Sequence, residues 1–287
     1  MSVITTSTDA VTAAPARRRP VYGIVGAVVV VAVAVLTIAA PLVAPHDPLA
    51  QDLTGLLRPP SAVHPFGTDE LGRDVLSRVL YGGRVALGVS LVATVLSAVL
   101  GVGLGVVAAL GGRYWDATLG RLADVQLAVP GILLALVVLA FAGSGTVALV
   151  VVLALGSWVL NFRIARVHAT FVAAQPFIEA ARLAGASTVE VVRRHVVPAL
   201  GPLVLVAATL TFSTVLLLES SLGFLGLGVQ PPTPDWGQMV ASGQAQLAGA
   251  WWVSIFPGAA LVVVIVGVQL AGDRLAERFS TAGRADA

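Results

Sequence analysis

The amino-acid sequence predicts an all-α, polytopic membrane protein with six transmembrane helices. Hydrophobic residues account for 57% of the 287 residues and charged residues for only 11%, whereas charged residues make up roughly 25% of an ordinary soluble domain. The mean hydropathy is +0.93. The charge-poor runs are long enough for six helices of roughly 20 residues, the length that crosses a hydrocarbon core.

The first predicted span, residues 21–44, directly follows Arg17, Arg18 and Arg19. A charged start before an apolar run is also typical of a secretory signal peptide. This run is longer than a signal-peptide core and no clear A-x-A cleavage site follows it, so we predict an anchor helix that is retained. Residues 1–20 are predicted to form a disordered cytoplasmic tail, because they are rich in Ser, Thr and Ala.

The segment at 45–84 separates the first span from the second and is predicted to lie outside the cytoplasm. Within it, GTDELGRD at 67–74 predicts a turn followed by an amphipathic helix at the outer face of the membrane. His64 and the nearby acids suggest a metal site, but the histidines of the chain lack a ligand spacing such as H-E-x-x-H. The simpler prediction is the interfacial helix.

The other spans lie between residues 85 and 272. Their predicted ranges are 85–111, two spans within 125–162 that are separated by a turn at 142–145, 202–229 and 253–272. Trp251 and Trp252 precede the last span and suit the aromatic belt of a membrane surface. Gly101 and Gly105 form a GxxxG pattern. This pattern predicts close packing of the second span against another helix and is compatible with the pairing of two subunits.

The distribution of arginine predicts the orientation, because cytoplasmic segments carry most basic residues of a membrane protein. All 17 basic residues are arginines. If the amino terminus is cytoplasmic, only Arg58, Arg73, Arg78 and Arg84 lie outside, in a segment that also carries acids. Both termini, including a tail at 276–287, are therefore predicted to be cytoplasmic in a plasma (inner) membrane. The isoelectric point near 9.7 reflects this topology, so we predict no nucleic-acid partner.

Two missing residue types restrict the chemistry. The chain contains no lysine, and a P-loop needs a lysine to reach the β- and γ-phosphates of a nucleotide. It also contains no cysteine, which excludes disulfides and thiolate metal sites. We predict no catalytic residue, no bound metal and no cofactor in this chain.

One polar segment, EAARLAGASTVEVVRRHVVP at 179–198, interrupts the apolar sequence. Pro176 suits the first position of a helix, and Gly185 suits the left-handed residue that ends one. Ser187 begins a capping box, S-T-V-E, for a second short helix. We expect Pro198 to end that second helix, because proline cannot continue it.

The first short helix has a flank of small residues, Ala180, Ala181 and Ala184, beside arginine side chains. Another surface can approach such a flank closely without ordering long side chains. A solvated connector is one alternative. A DNA-reading helix-turn-helix is another, but it is disfavoured because spans tether the segment at both ends. We predict that a cytoplasmic protein docks here.

The spacing of Glu179-Ala180-Ala181, Gly185 and Pro198 resembles the EAA motif of ABC-importer permease subunits. The usual motif ends in Ile-x-Leu-Pro, whereas this one ends in His-Val-Val-Pro, which resembles the dipeptide, oligopeptide and nickel branch of the family. The resemblance implies that these five residues couple the chain to an ATPase subunit.

Two further stretches, 64–87 and 220–240, resemble segments of the C-type permease subunits of that branch. The resemblance implies a MetI-like, type I importer transmembrane domain at 85–275 with its coupling loop at 169–200. Candidate contacts with a partner subunit or binding protein fall at Asp69, Glu70, Asp74 and Trp236.

The resemblance also implies a set of partners in the lipid bilayer and beside it. They are a homologous second permease subunit, two ATPase subunits that hold ATP and Mg, and an extracytoplasmic substrate-binding protein. This chain would then form half of a translocation pathway for di- or oligopeptides. Nickel or another small solute is an alternative substrate, and an autonomous secondary carrier is an alternative function.

Glu219 is the only acid predicted to lie deep in a span. A charge near the bilayer centre costs about 2.5–3.5 kcal/mol, so its side chain must face protein or water. One interpretation is a residue of the translocation path. The other is a structural hydrogen-bond acceptor packed beside Ser220 and Ser221.

Overall fold

The structure, a computed structural model, describes residues 21–143 and 145–285, and side chains throughout these ranges except at 142 and 280–285. The predicted tail at 1–20 therefore lies outside the described residues. Eleven α-helices occur in the described ranges: α1 Val21–Ile38, α2 Ala40–Val43, α3 Val75–Leu110, α4 Arg113–Ala128, α5 Gly131–Ala142, α6 Thr146–Ala173, α7 Pro176–Leu183, α8 Thr188–Val191, α9 Val197–Phe224, α10 Trp236–Gly243 and α11 Trp252–Ala285.

The described residues agree with the all-α prediction and are compatible with six spans. Five helices are long and apolar enough to cross a membrane, and a sixth span results if the bent pair α4 and α5 is counted as one. The two helices of this pair meet at 90°. The bend occurs at Val129 and Pro130, because a residue before proline is driven out of the helical conformation.

The third span therefore differs from the prediction. Helix α5 has 12 residues, about 18 Å at the helical rise per residue, which is shorter than the roughly 30 Å hydrocarbon core. Helix α4 lies beside α6, where the carboxylate of Asp116 accepts two hydrogen bonds from Arg166, at 2.5 and 2.8 Å. Arg163 donates to Asp124 at 2.7 Å. These ion pairs hold α4 against α6 and away from the axis of α5.

Helix α3 begins at Val75, earlier than the predicted span start at 85. Asp74 caps it by accepting a hydrogen bond from the backbone N–H of Ser77 at 2.8 Å. Residues 45–74 form turns and loops. The helix that follows the turn at GTDELGRD is the start of α3, so the prediction of a separate interfacial helix is wrong. The acidic side chains of this segment accept backbone hydrogen bonds in turns, as Asp69 does from Leu71 and Arg73.

Helices α3 and α6 pack closely through Gly101 and Gly105. A Cβ atom at Gly101 would lie 2.5 Å from the carbonyl oxygen of Trp158, and one at Gly105 would lie 2.7 Å from that of Phe162. The GxxxG pattern thus predicted a close helix contact correctly. The contact lies within this chain, and it leaves no room at these two positions for a helix of a second subunit.

The second short helix does not end at Pro198. Helix α8 continues through one π-helical turn, Val192–Val196, into α9, so that Thr188–Phe224 is an apolar helical unit of 37 residues. The N–H of Val197 donates to the carbonyl oxygen of Val192, five residues back. Pro198 then falls in the first turn of α9, a position where a helix tolerates its missing N–H group. The predicted stop is therefore wrong.

The remaining helices close the fold around α9. Helix α1 packs against α11, and α10 packs against both α9 and α11. Helix α11 begins at Trp252 and runs on to Ala285, so it passes the predicted span end at 272 and enters the predicted tail at 276–287. Trp252 is buried and donates its Nε1–H to the carbonyl oxygen of Thr68 at 3.0 Å.

Candidate functional site

The EAA segment, residues 174–198, begins with the predicted helix α7. Pro176 occupies its first turn and Glu179 supplies an acid there, where the helix dipole favours negative charge. Ile178 is fully buried, whereas Glu179 and Ala180 are exposed. The helix therefore anchors one face in the protein and presents the motif residues on the other.

Gly185 ends α7 as the spacing predicted. Its φ of +94° is left-handed, a conformation that glycine adopts without a steric penalty. The N–H of Gly185 donates to the carbonyl oxygen of Arg182 at 3.0 Å, and that of Ala186 donates to Ala181 at 3.0 Å. This pair of bonds is the Schellman motif, which satisfies the last carbonyl groups of a helix.

Ser187 caps the second short helix and so forms its half of the predicted capping box. Its Oγ accepts a hydrogen bond from the backbone N–H of Glu190 at 3.2 Å. The carboxylate of Glu190 pairs with Arg194 one turn later, at 2.6 Å. The turn between the two short helices is therefore fixed by backbone and side-chain hydrogen bonds on both sides.

A buried apolar cluster connects the EAA segment to the ends of the long helices. Ile178 of α7 and Val191 of α8 are fully buried in it, together with Val196 of the π-turn. The members contributed by α6 and α9 are Ala165, Ala169, Val172 and Leu200. The segment is thus part of the core at this end of α3, α6 and α9, which we call the EAA end.

The outward surface of the EAA segment exposes large apolar side chains, although the segment is rich in polar residues. Phe177, Leu183 and Val189 have exposed fractions of 52%, 85% and 76%. A cavity of about 520 Å³ beside Val189 is lined by Glu190, Arg193 and other polar residues. Large apolar side chains rimmed by charge are typical of a protein docking site.

The opposite end of α3 carries residues 45–74 and 225–251, which we call the loop end. There Asp69 is buried and its carboxylate pairs with Arg73 at 2.7 Å and with Arg78 at 3.3 Å. Asp74 is buried too, and its Oδ1 lies 2.9 Å from the Nδ1 atom of His64. Both acids therefore stabilise the loop from within.

Trp236 is also part of the interior of the loop end. Its Nε1–H donates to the carbonyl oxygen of Val79 at 2.8 Å, and the side chain is 1% exposed. The prediction that Asp69, Asp74 and Trp236 contact a partner is therefore wrong, because their side chains are enclosed by this chain. Glu70 is exposed, and its contact with a partner stays a prediction.

Glu219 is fully buried near the loop end of α9 and faces Asp235, the equally buried cap of α10. Ser220 donates its hydroxyl to Oε2 of Glu219 at 3.1 Å, and the N–H of Gln238 donates to Oδ1 of Asp235 at 2.9 Å. Ser221 instead donates to the carbonyl oxygen of Leu217. The burial favours the structural interpretation of Glu219, with Ser220 but not Ser221 as its partner.

Sequence reasoning missed Asp235. A local signal was present, because Asp followed by an apolar helical start is a typical N-cap. Its approach to Glu219 depends on how α10 folds back onto α9. Only the three-dimensional structure shows that contact.

Comparison with protein-family models identifies two matches. Residues 101–281 match the family described as the inner membrane component of binding-protein-dependent transport systems. Residues 18–60 match the N-terminal transmembrane domain of oligopeptide transport permease C. The first match covers the C-terminal end of α3 and extends into α11, and the second covers α1, α2 and the start of the loop end.

Relatives of known name match over most of the chain. The di/tripeptide transport system permease protein DppC of Pseudomonas aeruginosa is 40% identical over 243 residues, which are 82% of this chain and 80% of the relative. The probable D,D-dipeptide transport system permease protein DdpC of Escherichia coli is 36% identical over 250 residues, 87% of this chain and 84% of the relative.

A solved structure supports the fold. The inward-facing MetNI methionine ABC transporter has a chain that superposes with a TM-score of 0.58 at 23% identity, over 71% of this chain and 96% of that chain. This similarity confirms the predicted MetI-like architecture. Together with the family matches, it shows that the chain belongs to the inner membrane components of binding-protein-dependent transport systems, among the ABC permeases of the peptide importer family.

Proposed function

We propose that this chain forms half of the translocation pathway of an ATP-driven importer for di- or oligopeptides. The observation that carries the proposal is the structure of the EAA segment. Its two short helices are capped where they meet, its outer face is exposed, and its inner face is part of the buried core. The similarity to permeases named for di- and tripeptides supports the substrate class. A homologous second permease would supply the other half of the pathway.

The proposed contacts with an ATPase subunit are those of the EAA motif. They are Glu179, Ala180, Ala181, Gly185 and Pro198, which lie at or beside the exposed face of the segment. Because the Schellman motif and the Ser187 cap already order the segment, docking costs little conformational entropy. The exposed side chains of Phe177, Leu183 and Val189 would lose water in the same step.

The route from docking to the pathway is the helical unit Thr188–Phe224. It starts in the EAA segment, spans about 55 Å at the helical rise, and ends beside the Glu219–Asp235 pair. ATP-driven movement of the ATPase subunits would displace the EAA segment as one body, because the buried cluster joins it to α6 and α9. Such movement is the hinge-and-shear kind of two-state change.

The chain itself would bind no nucleotide and no cofactor. It has no lysine for a P-loop, so ATP and Mg would be held by the ATPase subunits. This division of labour makes the chain a transport component and not an enzyme.

The proposed topology places the EAA end in the cytoplasm, together with both termini. Arg163, Arg166, Arg182, Arg193 and Arg194 all lie at or beside this end, as expected from the excess of basic residues on the cytoplasmic side. The loop end would then face the extracytoplasmic substrate-binding protein. Glu70, an exposed acid of that end, is the proposed contact with it or with the second permease.

Reconstitution tests this proposal. The chain is placed in proteoliposomes with its second permease and ATPase subunits, and the binding protein, ATP and a labelled dipeptide are added. We expect ATP-dependent peptide accumulation, and none with this chain alone. Accumulation by the chain alone would show a secondary carrier, and ATP-dependent uptake of Ni²⁺ without peptide uptake would show the alternative substrate.

A further inference from the structure

Three potential metal ligands meet at the loop end, although they are not adjacent in sequence. His46 follows α2, His64 lies in the loop, and Asp74 caps α3. Oδ1 of Asp74 lies 2.9 Å from Nδ1 of His64 and 3.7 Å from Nδ1 of His46. All three ligand atoms lie within 4.8 Å of one another. No metal-binding motif in the sequence predicts this cluster. The folding of the chain brings the three residues together.

Hydrogen bonds orient this cluster from outside. The hydroxyl of Ser77 donates to Oδ2 of Asp74 at 2.7 Å, and the backbone N–H of Ser77 donates to the same oxygen. The Ser77 hydroxyl also accepts the backbone N–H of His46 at 3.2 Å. Asp74 therefore turns its other oxygen, Oδ1, toward the two imidazoles. Outer contacts of this kind orient the ligands in metal sites.

One atom of the cluster has no hydrogen-bond partner. Nδ1 of His46 is buried and unpaired, and its 3.7 Å separation from Asp74 is too long for a hydrogen bond. A buried polar atom without a partner is destabilising, because the hydrogen bonds that it made to water are not replaced. The hydrogen bond between His64 and Asp74 thus accounts for two of the three groups and leaves His46 unexplained.

We propose that His46, His64 and Asp74 bind one Zn²⁺ ion through two imidazole nitrogens and one carboxylate oxygen. Zinc takes such a mixed set at distances near 2.0–2.2 Å, which places neighbouring ligand atoms of a tetrahedral site about 3.3 Å apart. The two separations from Asp74, 2.9 and 3.7 Å, bracket this value. Two nitrogen donors also disfavour Ca²⁺ and Mg²⁺, which prefer oxygen ligands.

A fourth position remains open to water. The side chain of His46 is 37% exposed and lines a cavity of about 650 Å³ together with Asp47, Tyr81 and Thr233. Three protein ligands with access to water are the pattern of an open zinc site. The ion would tie the segment that follows α2 to the start of α3, and thus join the first anchor helix to the rest of the domain.

Metal binding to the full-length chain in detergent tests the proposal. After chelator treatment and dialysis, the chain is titrated with Zn²⁺ against a chromophoric chelator, and its metal content is measured by mass spectrometry. We expect one Zn²⁺ per chain. Substitution by Co²⁺ should give the intense visible absorption of a four-coordinate ion.

Two variants separate the site from other histidines. His46→Ala should weaken Zn²⁺ binding by more than about 100-fold, beyond the roughly 10–100-fold effect of losing an outer contact. Asp74→Asn should also weaken it, while its side-chain oxygen still caps α3. His195→Ala, at the EAA end, is the matched control and should bind Zn²⁺ like the unaltered chain.

The unfolding temperature of each variant, measured without metal, checks its folding. We expect His46→Ala to leave this temperature nearly unchanged, because the imidazole of His46 is partly exposed. The proposal is overturned if the unaltered chain takes up no stoichiometric Zn²⁺. Equal affinity in a folded His46→Ala chain, or a six-coordinate Co²⁺ spectrum, overturns it as well.

Discussion

Glu219 and Asp235 face each other in the interior, with Oε1 of Glu219 and Oδ2 of Asp235 both buried and without another partner. A hydrogen bond between two carboxyl groups requires a proton on one of them. Such a bond would satisfy both oxygens and would fasten α9 to the start of α10. The pair lies at the loop end of the helical unit whose other end carries the EAA segment.

The carboxyl pair predicts that one substitution of Glu219 is tolerated and another is destabilising. Glu219→Gln can donate its amide to Oδ2 of Asp235, so we expect the unfolding free energy to change by less than about 1 kcal/mol. Glu219→Ala leaves Asp235 buried and unpaired, so we expect a loss of about 1–3 kcal/mol. Thermal unfolding in detergent, followed by tryptophan fluorescence, measures both. Equal destabilisation by the two variants would contradict the predicted hydrogen bond.

The contact between α3 and α6 predicts that a large side chain destabilises the chain at a glycine inside the contact and not at one outside it. Gly105→Leu places a side chain against the backbone of Phe162 and should destabilise the chain by about 1–3 kcal/mol, the usual cost of overpacking. Gly103→Leu is the matched control on the same helix, because nothing lies within 4 Å of its added Cβ. The yield of monodisperse protein and its unfolding temperature report the difference. Similar losses in both variants would exclude a specific contact at Gly105.

Local signals in the sequence were sufficient for the two caps between α7 and α8 in the EAA segment. Gly185 and Ser187 act through bonds to residues within a few positions, so their spacing predicted the caps that the structure contains. The spans followed from composition for the same reason, since a long apolar run needs no distant partner to be recognised. Pro130 shows the limit of this approach, because the apolar run continues across it while the helix bends by 90°.

The loop end could not be predicted in the same way. Its acids are held by side chains outside the range of a helical turn and by turns that only a folded backbone defines, as in the pairs Asp74–His64 and Asp69–Arg78. Acidity in GTDELGRD therefore suggested an exposed helix, whereas the structure buries two of its acids. The prediction that Pro198 ends the second short helix was wrong for a related reason, because the π-turn that precedes Pro198 has no sequence signature of its own.

The exposed face of α7 predicts that reversing the charge of Glu179 weakens the docking of the ATPase subunits without unfolding the chain. Glu179→Arg changes an exposed side chain, so insertion should stay the same and thermal stability should change little, by no more than the dipole effect of about 0.3–1 kcal/mol. Retention of the ATPase subunits during purification should fall by at least about tenfold, which corresponds to 1.4 kcal/mol of docking free energy. Glu70→Arg, an equal reversal at the loop end, should retain those subunits. Normal retention by Glu179→Arg would rule out docking through this face.

The left-handed conformation of Gly185 predicts a graded series at one position. Ala at a φ of +94° costs about 1–2 kcal/mol, whereas Asn tolerates left-handed backbone better. Because no neighbour lies within 4 Å of an added Cβ at Gly185, the effect arises from the backbone and not from a clash. We therefore expect the ratio of peptide imported to ATP hydrolysed to fall in the order Gly, Asn, Ala in the reconstituted transporter. Gly88→Ala, a helical glycine that also has open space around an added Cβ, should leave the ratio unchanged. Equal ratios for all Gly185 variants would mean that the shape of the turn between α7 and α8 does not affect coupling.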